Sequence, residues 1–204
     1  GPIELESINH SILESKRAHR SLEIKSIDKF PRLTDYIVPP GVRIADTSRV
    51  RLGAYLSEGT TVMHEGFVNF NAGTLGAAMI EGRISAGVIV GKNSDLGGGS
   101  STMGTLSGGN KLKISVGENS LLGANAGLGI PLGNNCIVEA GLYLTGGSKV
   151  EVFDRDMVSQ GVVKADQLSN QDNLLFIRNS LSGAVEARVN LKSVELNDAL
   201  HKNQ

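Results

Sequence analysis

The stretch Leu122-Gly123-Ala124-Asn125-Ala126-Gly127, followed by Leu128, decides the fold. It runs from an aliphatic residue to Gly and then through small or polar residues, and the next aliphatic residue comes six positions on. Gly enters unusual backbone conformations freely and Asn tolerates the left-handed one, so such a unit supplies one flat face and one corner. Val90-Gly-Lys-Asn-Ser-Asp has the same form. Working outward, Ile44, Val50, Leu56, Val62, Val68, Thr74 and Ile80 fall six apart, and after a slip Ile84, Val90, Leu96 and Thr102 do the same. Val116, Leu122 and Leu128 form a third run, and Leu132, Val138, Leu144 and Val150 a fourth. Six is not the helical period of about 3.6, but it is a multiple of two, so a short strand fits inside each hexad. Three faces close a triangular coil, and stacked coils pair their strands in parallel around an aliphatic interior. The expected fold is all-β, a solenoid of about eighteen hexads, or about six coils, over residues 41–155.

Composition agrees. Of 204 residues 26 are Gly, 24 of them between Gly41 and Gly161, while Trp is absent and aromatics are 4%. The glycine is therefore architectural and the core is not aromatic. Gly is not at every third position, and 40% of residues are hydrophobic, which excludes collagen and a flexible linker. Twenty Lys and Arg against 21 Asp and Glu, with no long basic run, argue against nucleic acid as a partner. The longest uncharged stretch, Asn119 to Val138, is broken by Asn and Gly throughout and does not read as a membrane span. A lone Cys136 permits no internal disulfide and fits a reducing cytoplasm; beside the aliphatic position of its hexad it reads as a core residue. No secretory signal pattern is visible. The chain opens Gly1-Pro2 without Met, so it is expected to be a piece of a longer chain with an upstream domain.

The flanks break the period. Residues 1–40 read as a linker or the remnant of an upstream domain, with a short helix around Ser11–Arg17 and a stop at Pro39-Pro40. Residues 104–113 interrupt the hexads and are expected as an external loop. Residues 156–204 are expected as an extension. In it Asn173-Leu-Leu-Phe-Ile-Arg178 reads as a strand, Asn179-Ser-Leu-Ser-Gly183 as a turn, Ala184-Val-Glu-Ala-Arg-Val189 as the return, and 191–201 as a short helix.

Three polar groups break the hexad rule. His64 and Glu65, near Asn69 and Asn71, fit either a polar ligand or cation, or a solvated corner. Glu81-Gly82-Arg83 follows directly on the slip; the carboxylate suits a base or nucleophile and the guanidinium an anion, although a surface ion pair has the same residues. Asp95-Leu-Gly-Gly-Gly-Ser-Ser101 exposes backbone amides suited to an oxyanion, or is a tight corner, and it lacks the Lys-Ser/Thr of a phosphate loop.

The runs Gly41–Asp46, Met63–Thr74, Glu81–Gly87, Leu121–Gly127 and Asn173–Ser180 closely resemble tetrahydrodipicolinate N-succinyltransferases of the actinobacterial-like branch, over about residues 37–190. That resemblance implies a left-handed parallel β-helix, a homotrimer with active sites between subunits, and transfer of succinyl from succinyl-CoA to ring-opened tetrahydrodipicolinate in lysine biosynthesis. It implies Glu81 as the catalytic carboxylate, forming an acyl-anhydride or deprotonating the amine. Arg83, Gly98, Ser101, Ala124, Glu139, Ala140, Gly147, Lys164 and Ile177, Arg178, Asn179, Ser180 match acyl-CoA contacts. Glu65 matches a ligand of a magnesium ion shared by the trimer; Ser48 stands where the family has a second metal-binding acid, with Asp46 two residues away, and Ile177 where it often has Arg.

Other functions fit the same solenoid. One is a hexapeptide acetyltransferase on a sugar or amine with His64 as base, another a trimeric scaffold without catalysis. A γ-type carbonic anhydrase needs three His ligands, and the repeats contain only His64.

Overall fold

The computed structural model describes residues 3–104 and 113–191. The loop expected at 104–113 lies, apart from its two ends, outside the described residues, and so does the helix expected at 191–201, apart from Leu191.

The chain visits three sheets in rotation. The first face takes Arg43–Ile44, Thr61–Val62, Ala78–Ile80, Ser94–Leu96, Leu121–Leu122 and Ile137–Val138. The second takes Phe67–Val68, Arg83–Ile84, Ser101–Thr102, Gly127–Gly129 and Tyr143–Thr145, and the third Tyr55–Leu56, Gly73–Thr74, Ile89–Val90 and Ser115–Val116. Every pairing among these strands is parallel. Returning to the same face after three short strands is what a six-residue period demands.

The hexad residues line the interior. Val50, Val62, Val68, Ile80, Ile84, Val90, Leu96, Leu122, Leu128, Val138, Leu144 and Val150 have no exposed surface, each worth about 1.5–3 kcal/mol of apolar burial. The two threonines at hexad positions are satisfied: Thr74 Oγ1 lies 2.7 Å from Thr60 Oγ1, and Thr102 Oγ1 donates to the Arg83 carbonyl at 3.0 Å. Cys136 is fully buried, as its place in the repeat predicts.

Two residues divide the work at a corner. Asn125 takes the left-handed conformation (φ 56°), and Asn93, Asn119 and Asn135 do the same in other corners. Gly123, by contrast, is needed for close approach, since a Cβ there would lie 2.7 Å from the Ala140 Cα of the next coil. The glycine after the aliphatic residue thus lets coils stack, and the asparagine turns the chain.

The ends are capped. Leu33 is buried, its N–H bonds to the Val50 carbonyl, and Phe30 stacks on Phe70 with ring centres 4.5 Å apart, so part of the N-terminal segment packs on the first coil. A helix, Ile8–Arg17, precedes it. At the other end Leu174–Arg178 extends the first face by pairing with Ile137–Val138, then turns antiparallel into Val185–Val189. Lys149–Phe153 pairs with that return strand and with Ser159–Lys164, so residue 155 sits in the turn of a second hairpin. Phe176, the largest fully buried side chain, fills this wider end.

Candidate active site

The slip in the hexads shapes the site. The corner between the first and second faces takes four residues in one coil, Met63 to Gly66, and four in another, Gly97 to Ser100. In the coil between them it takes two, Glu81 and Gly82. A short corner flanked by longer ones is recessed, and Glu81 stands in that recess, half-buried. Its N–H bonds to the Leu96 carbonyl and its carbonyl accepts from Gly99 N–H at 3.3 Å, which fixes the backbone under the carboxylate.

The glycine turn faces it. A Cβ at Gly97 would lie 2.9 Å from Ala124 N, and Gly99 has φ 71°, so both glycines serve the backbone. Gly98 differs: among the described residues beyond its chain neighbours, the one atom near its Cβ position is Glu81 Oε2, at 3.7 Å. The Gly98 N–H has no acceptor among the described residues, because the turn's other bonds run from Gly97, Gly99 and Ser100. The same holds for Ala124 and Ala140, the residues at the equivalent place in the next two corners, where Asn125 and Gly141 carry the coil-to-coil bonds to the Gly98 and Ala124 carbonyls. Three free backbone donors therefore climb one edge, a strand spacing of about 4.8 Å apart.

Arg83 and Ser101 stand side by side on the outside of the second face. The Arg83 guanidinium is exposed and makes no ion pair among the described residues. Further along the row the Tyr143 ring lies across Gly127, where a Cβ would otherwise stand. Glu139 closes the edge, its Oε2 accepting from Arg178 N–H at 2.7 Å. This bond brings Ile177 and Arg178 to the edge. Asn179 holds the hairpin turn instead, its Oδ1 accepting from Leu181 and Ser182 N–H and its Nδ2 donating to Glu186; Ser180 is exposed beside it.

Gly147 and Lys164 are placed away from Glu81, near the far end of the coils. Gly147 is open, and Lys164 lines a cavity of about 580 Å³ with Lys149, Val162, Val163, Asp166 and Gln167. Lys149 and Lys164 are direct cross-strand partners. Sequence reading missed Lys149, and a register count from Val150 back to the turn at 154–158 is the signal that finds it.

Glu65 and His64 are exposed at the four-residue corner of the coil before Glu81. Asp46 is engaged by Ser48, whose hydroxyl and N–H both donate to its Oδ1, and this holds its carboxyl below the usual range. No group of three His, Cys, Asp or Glu suited to a metal occurs among the described residues.

Sequence reading also missed Asp95 as a carboxylate of this region. It projects outward from Ser94–Leu96, and burial together with the nearby Glu81 charge pushes its carboxyl up to about 6. Its position just before an inward hexad residue, Leu96, marked it as outward; its burial was not legible.

Comparison with known proteins follows the same lines. The sequence profile of the hexapeptide repeat of succinyl-transferase matches residues 113–146, within the coils and their glycine corners. A 2,3,4,5-tetrahydropyridine-2,6-dicarboxylate N-succinyltransferase of Vibrio cholerae is 60% identical over 203 residues, covering 100% of this chain and 59% of the relative. One of Pseudomonas aeruginosa is 63% identical over 201 residues, covering 98% and 58%. A crystal structure from Campylobacter jejuni, described as a candidate 2,3,4,5-tetrahydropyridine-2-carboxylate N-succinyltransferase, superposes with a TM-score of 0.83 at 43% identity, covering 95% of this chain and 54% of that one. The chain is similar along 98–100% of its length to tetrahydropyridine-2,6-dicarboxylate N-succinyltransferases and spans 58–59% of the length of these curated relatives.

Proposed function

We propose that this chain carries the acyl-transfer centre of a tetrahydrodipicolinate N-succinyltransferase, moving succinyl from succinyl-CoA to the amino group of the ring-opened acceptor. The observation that carries this reading is the pairing of the Glu81 carboxylate with the free N–H of Gly98 in one recess. A thioester carbonyl receiving a hydrogen bond from Gly98 develops its negative charge against a fixed donor, which lowers the barrier to attack. Glu81 is then the reacting carboxylate beside it. Incubation with succinyl-CoA alone assigns its role: a mass increase of one succinyl group marks a nucleophile, and an unchanged mass marks a proton acceptor.

The CoA arm runs up the edge past Ala124 and Ala140, whose free N–H groups suit amide carbonyls, with Arg83 and Ser101 alongside. Glu139 with Ile177 to Ser180 bounds it, and Gly147 and Lys164 meet its phosphates. The similarity to these transferases supports a left-handed coil and a homotrimer with sites between subunits, in the cytoplasm. Magnesium, if shared, needs Glu65 from more than one subunit. No helix among the described residues is long and apolar enough to cross a membrane.

The test is Glu81→Ala in this chain and in the longer protein. Release of CoA from succinyl-CoA plus tetrahydrodipicolinate is expected to be lost while assembly is retained; turnover near wild type overturns the reading. A preference for acetyl-CoA favours the acetyltransferase alternative.

A further inference from the structure

Asp95 is placed where a carboxylate is costly. It occupies the middle of the Ser94–Leu96 strand on the first face, directly between Met79 on one side and Leu121 on the other. Both neighbours are apolar, and Met79 is buried. No hydrogen bond or ion pair reaches the Asp95 side chain among the described residues, although the carboxylates of Asp28, Asp35, Asp46 and Asp154 each have such a partner. Taking a carboxylate out of water without a partner disfavours folding. An apolar residue fits this row better, as Met79 and Leu121 show.

The same strand runs straight into the turn that faces Glu81. Asp95 is two residues before Gly97, Leu96 accepts the Glu81 N–H, and Glu81 is two residues past Met79, the Cα partner of Asp95. The two carboxylates thus lie diagonally across adjacent strands, close enough for the Glu81 charge to act on Asp95. Of the elements packed against Asp95, the Ala78–Ile80 strand and its corner bring one charged group, Glu81, and the Leu121–Leu122 strand brings none. Two acids whose surroundings differ, one open to the recess and one set among apolar side chains, can divide the handling of a proton between them.

We propose that Asp95 is a positioning residue of the acyl-transfer centre, the second carboxylate on which the proton lost by the attacking amine comes to rest. This rests on the acyl-transfer reading with Glu81 as the proton acceptor. The amine nitrogen bonds to the acyl carbon, and the carbon–sulfur bond breaks with its electron pair on sulfur. The N–H proton enters the carboxylate pair through Glu81, rests on Asp95, whose apolar neighbours favour the neutral acid, and leaves to the departing thiolate. Acyl-CoA and amine give amide and CoA thiol.

The experiment combines a pH profile with a titration that needs no turnover. In the wild type kcat/KM is expected to rise through an acid limb near pH 6, and Asp95→Asn is expected to lose that limb and at least about tenfold in kcat at pH 8, with succinyl-CoA affinity unchanged. Carbon NMR of the Asp95 carboxyl is expected to show a midpoint near 6 that falls in Glu81→Gln. An Asp95→Asn protein that keeps both limb and turnover overturns the proposal, as does an Asp95 midpoint that Glu81→Gln leaves in place. Inactive wild-type protein with a coupled titration overturns the acyl-transfer reading and leaves the carboxylate pair standing.

Discussion

The Ser100 hydroxyl stands where a Cβ on Gly82 would be, and the Ser100 carbonyl oxygen is 2.6 Å from that point. The two-residue corner that recesses Glu81 is therefore possible only with glycine after the glutamate. Gly82→Ala is expected to destabilise the protein by about 1–3 kcal/mol, because backbone of the neighbouring coil must move. A lowered Tm with a matching shift in urea midpoint checks this. Ser100 Oγ is itself buried without a hydrogen-bond partner, so Ser100→Ala is expected to hold or raise Tm, and to soften the effect of Gly82→Ala when combined with it.

Cys136 provides a probe of coil closure. Its thiol is fully buried, donates to the Gln171 carbonyl at 3.2 Å, and accepts from Leu174 N–H at 3.4 Å. Burial pushes the thiol up from its ordinary value, so the reactive thiolate is scarce at pH 8. A soluble disulfide reagent is expected to leave Cys136 unmodified in the folded protein at pH 8 and to modify it fully in urea. Rapid labelling of native protein refutes the closed end of the coil.

The coils were legible because their cause is local: an aliphatic residue every sixth position and a corner of Gly and Asn. The slip at Ile80–Ile84 was legible as a broken phase, and the structure turns it into the recess that holds Glu81. The distinction between stacking at Gly123 and turning at Asn125 was not, since both residue types allow a corner and only the approach of Ala140 separates them. Asp95 and Lys149 escaped for a related reason. Each depends on a strand partner fifteen or sixteen residues away, Met79 beside Asp95 and Lys164 beside Lys149, and a hexad read alone gives the face of a residue but not its neighbours across the sheet.

Glu186 ties the C-terminal hairpin together by charge. It is buried, accepts from Asn179 Nδ2 at 2.7 Å, and pairs with Arg188. The Asn179 bond, aided by Arg188, holds its carboxyl below the usual value of 4.5. A depressed folded pKa means stability that is complete above 4.5 and lost as pH falls below it. Glu186→Gln is expected to cost about 1–3 kcal/mol at pH 7, with the gap to wild type closing as the pH drops below the ordinary glutamate range. Thermal unfolding across that range checks it; a gap independent of pH shows that shape and not charge is responsible.

Lys149 and Lys164 oppose each other across an antiparallel pair beside an open cavity. Like charges directly opposite oppose strand pairing, and neither lysine has an ion-pair partner among the described residues. An anion placed between them would relieve that repulsion and be held by both ammonium groups. Replacing one lysine should then move stability and binding in opposite directions. Lys149→Ala is expected to hold or raise Tm while weakening CoA about fivefold to tenfold by calorimetry, the loss shrinking at high salt as screening removes the charge attraction. Dephospho-CoA, lacking one phosphate, separates the two ends of the ligand: equal weakening for both compounds assigns the pair to the diphosphate, and weakening confined to CoA assigns it to the terminal phosphate. If Lys149→Ala changes neither Tm nor affinity, the two lysines are solvated independently and the cavity between them is not a phosphate site.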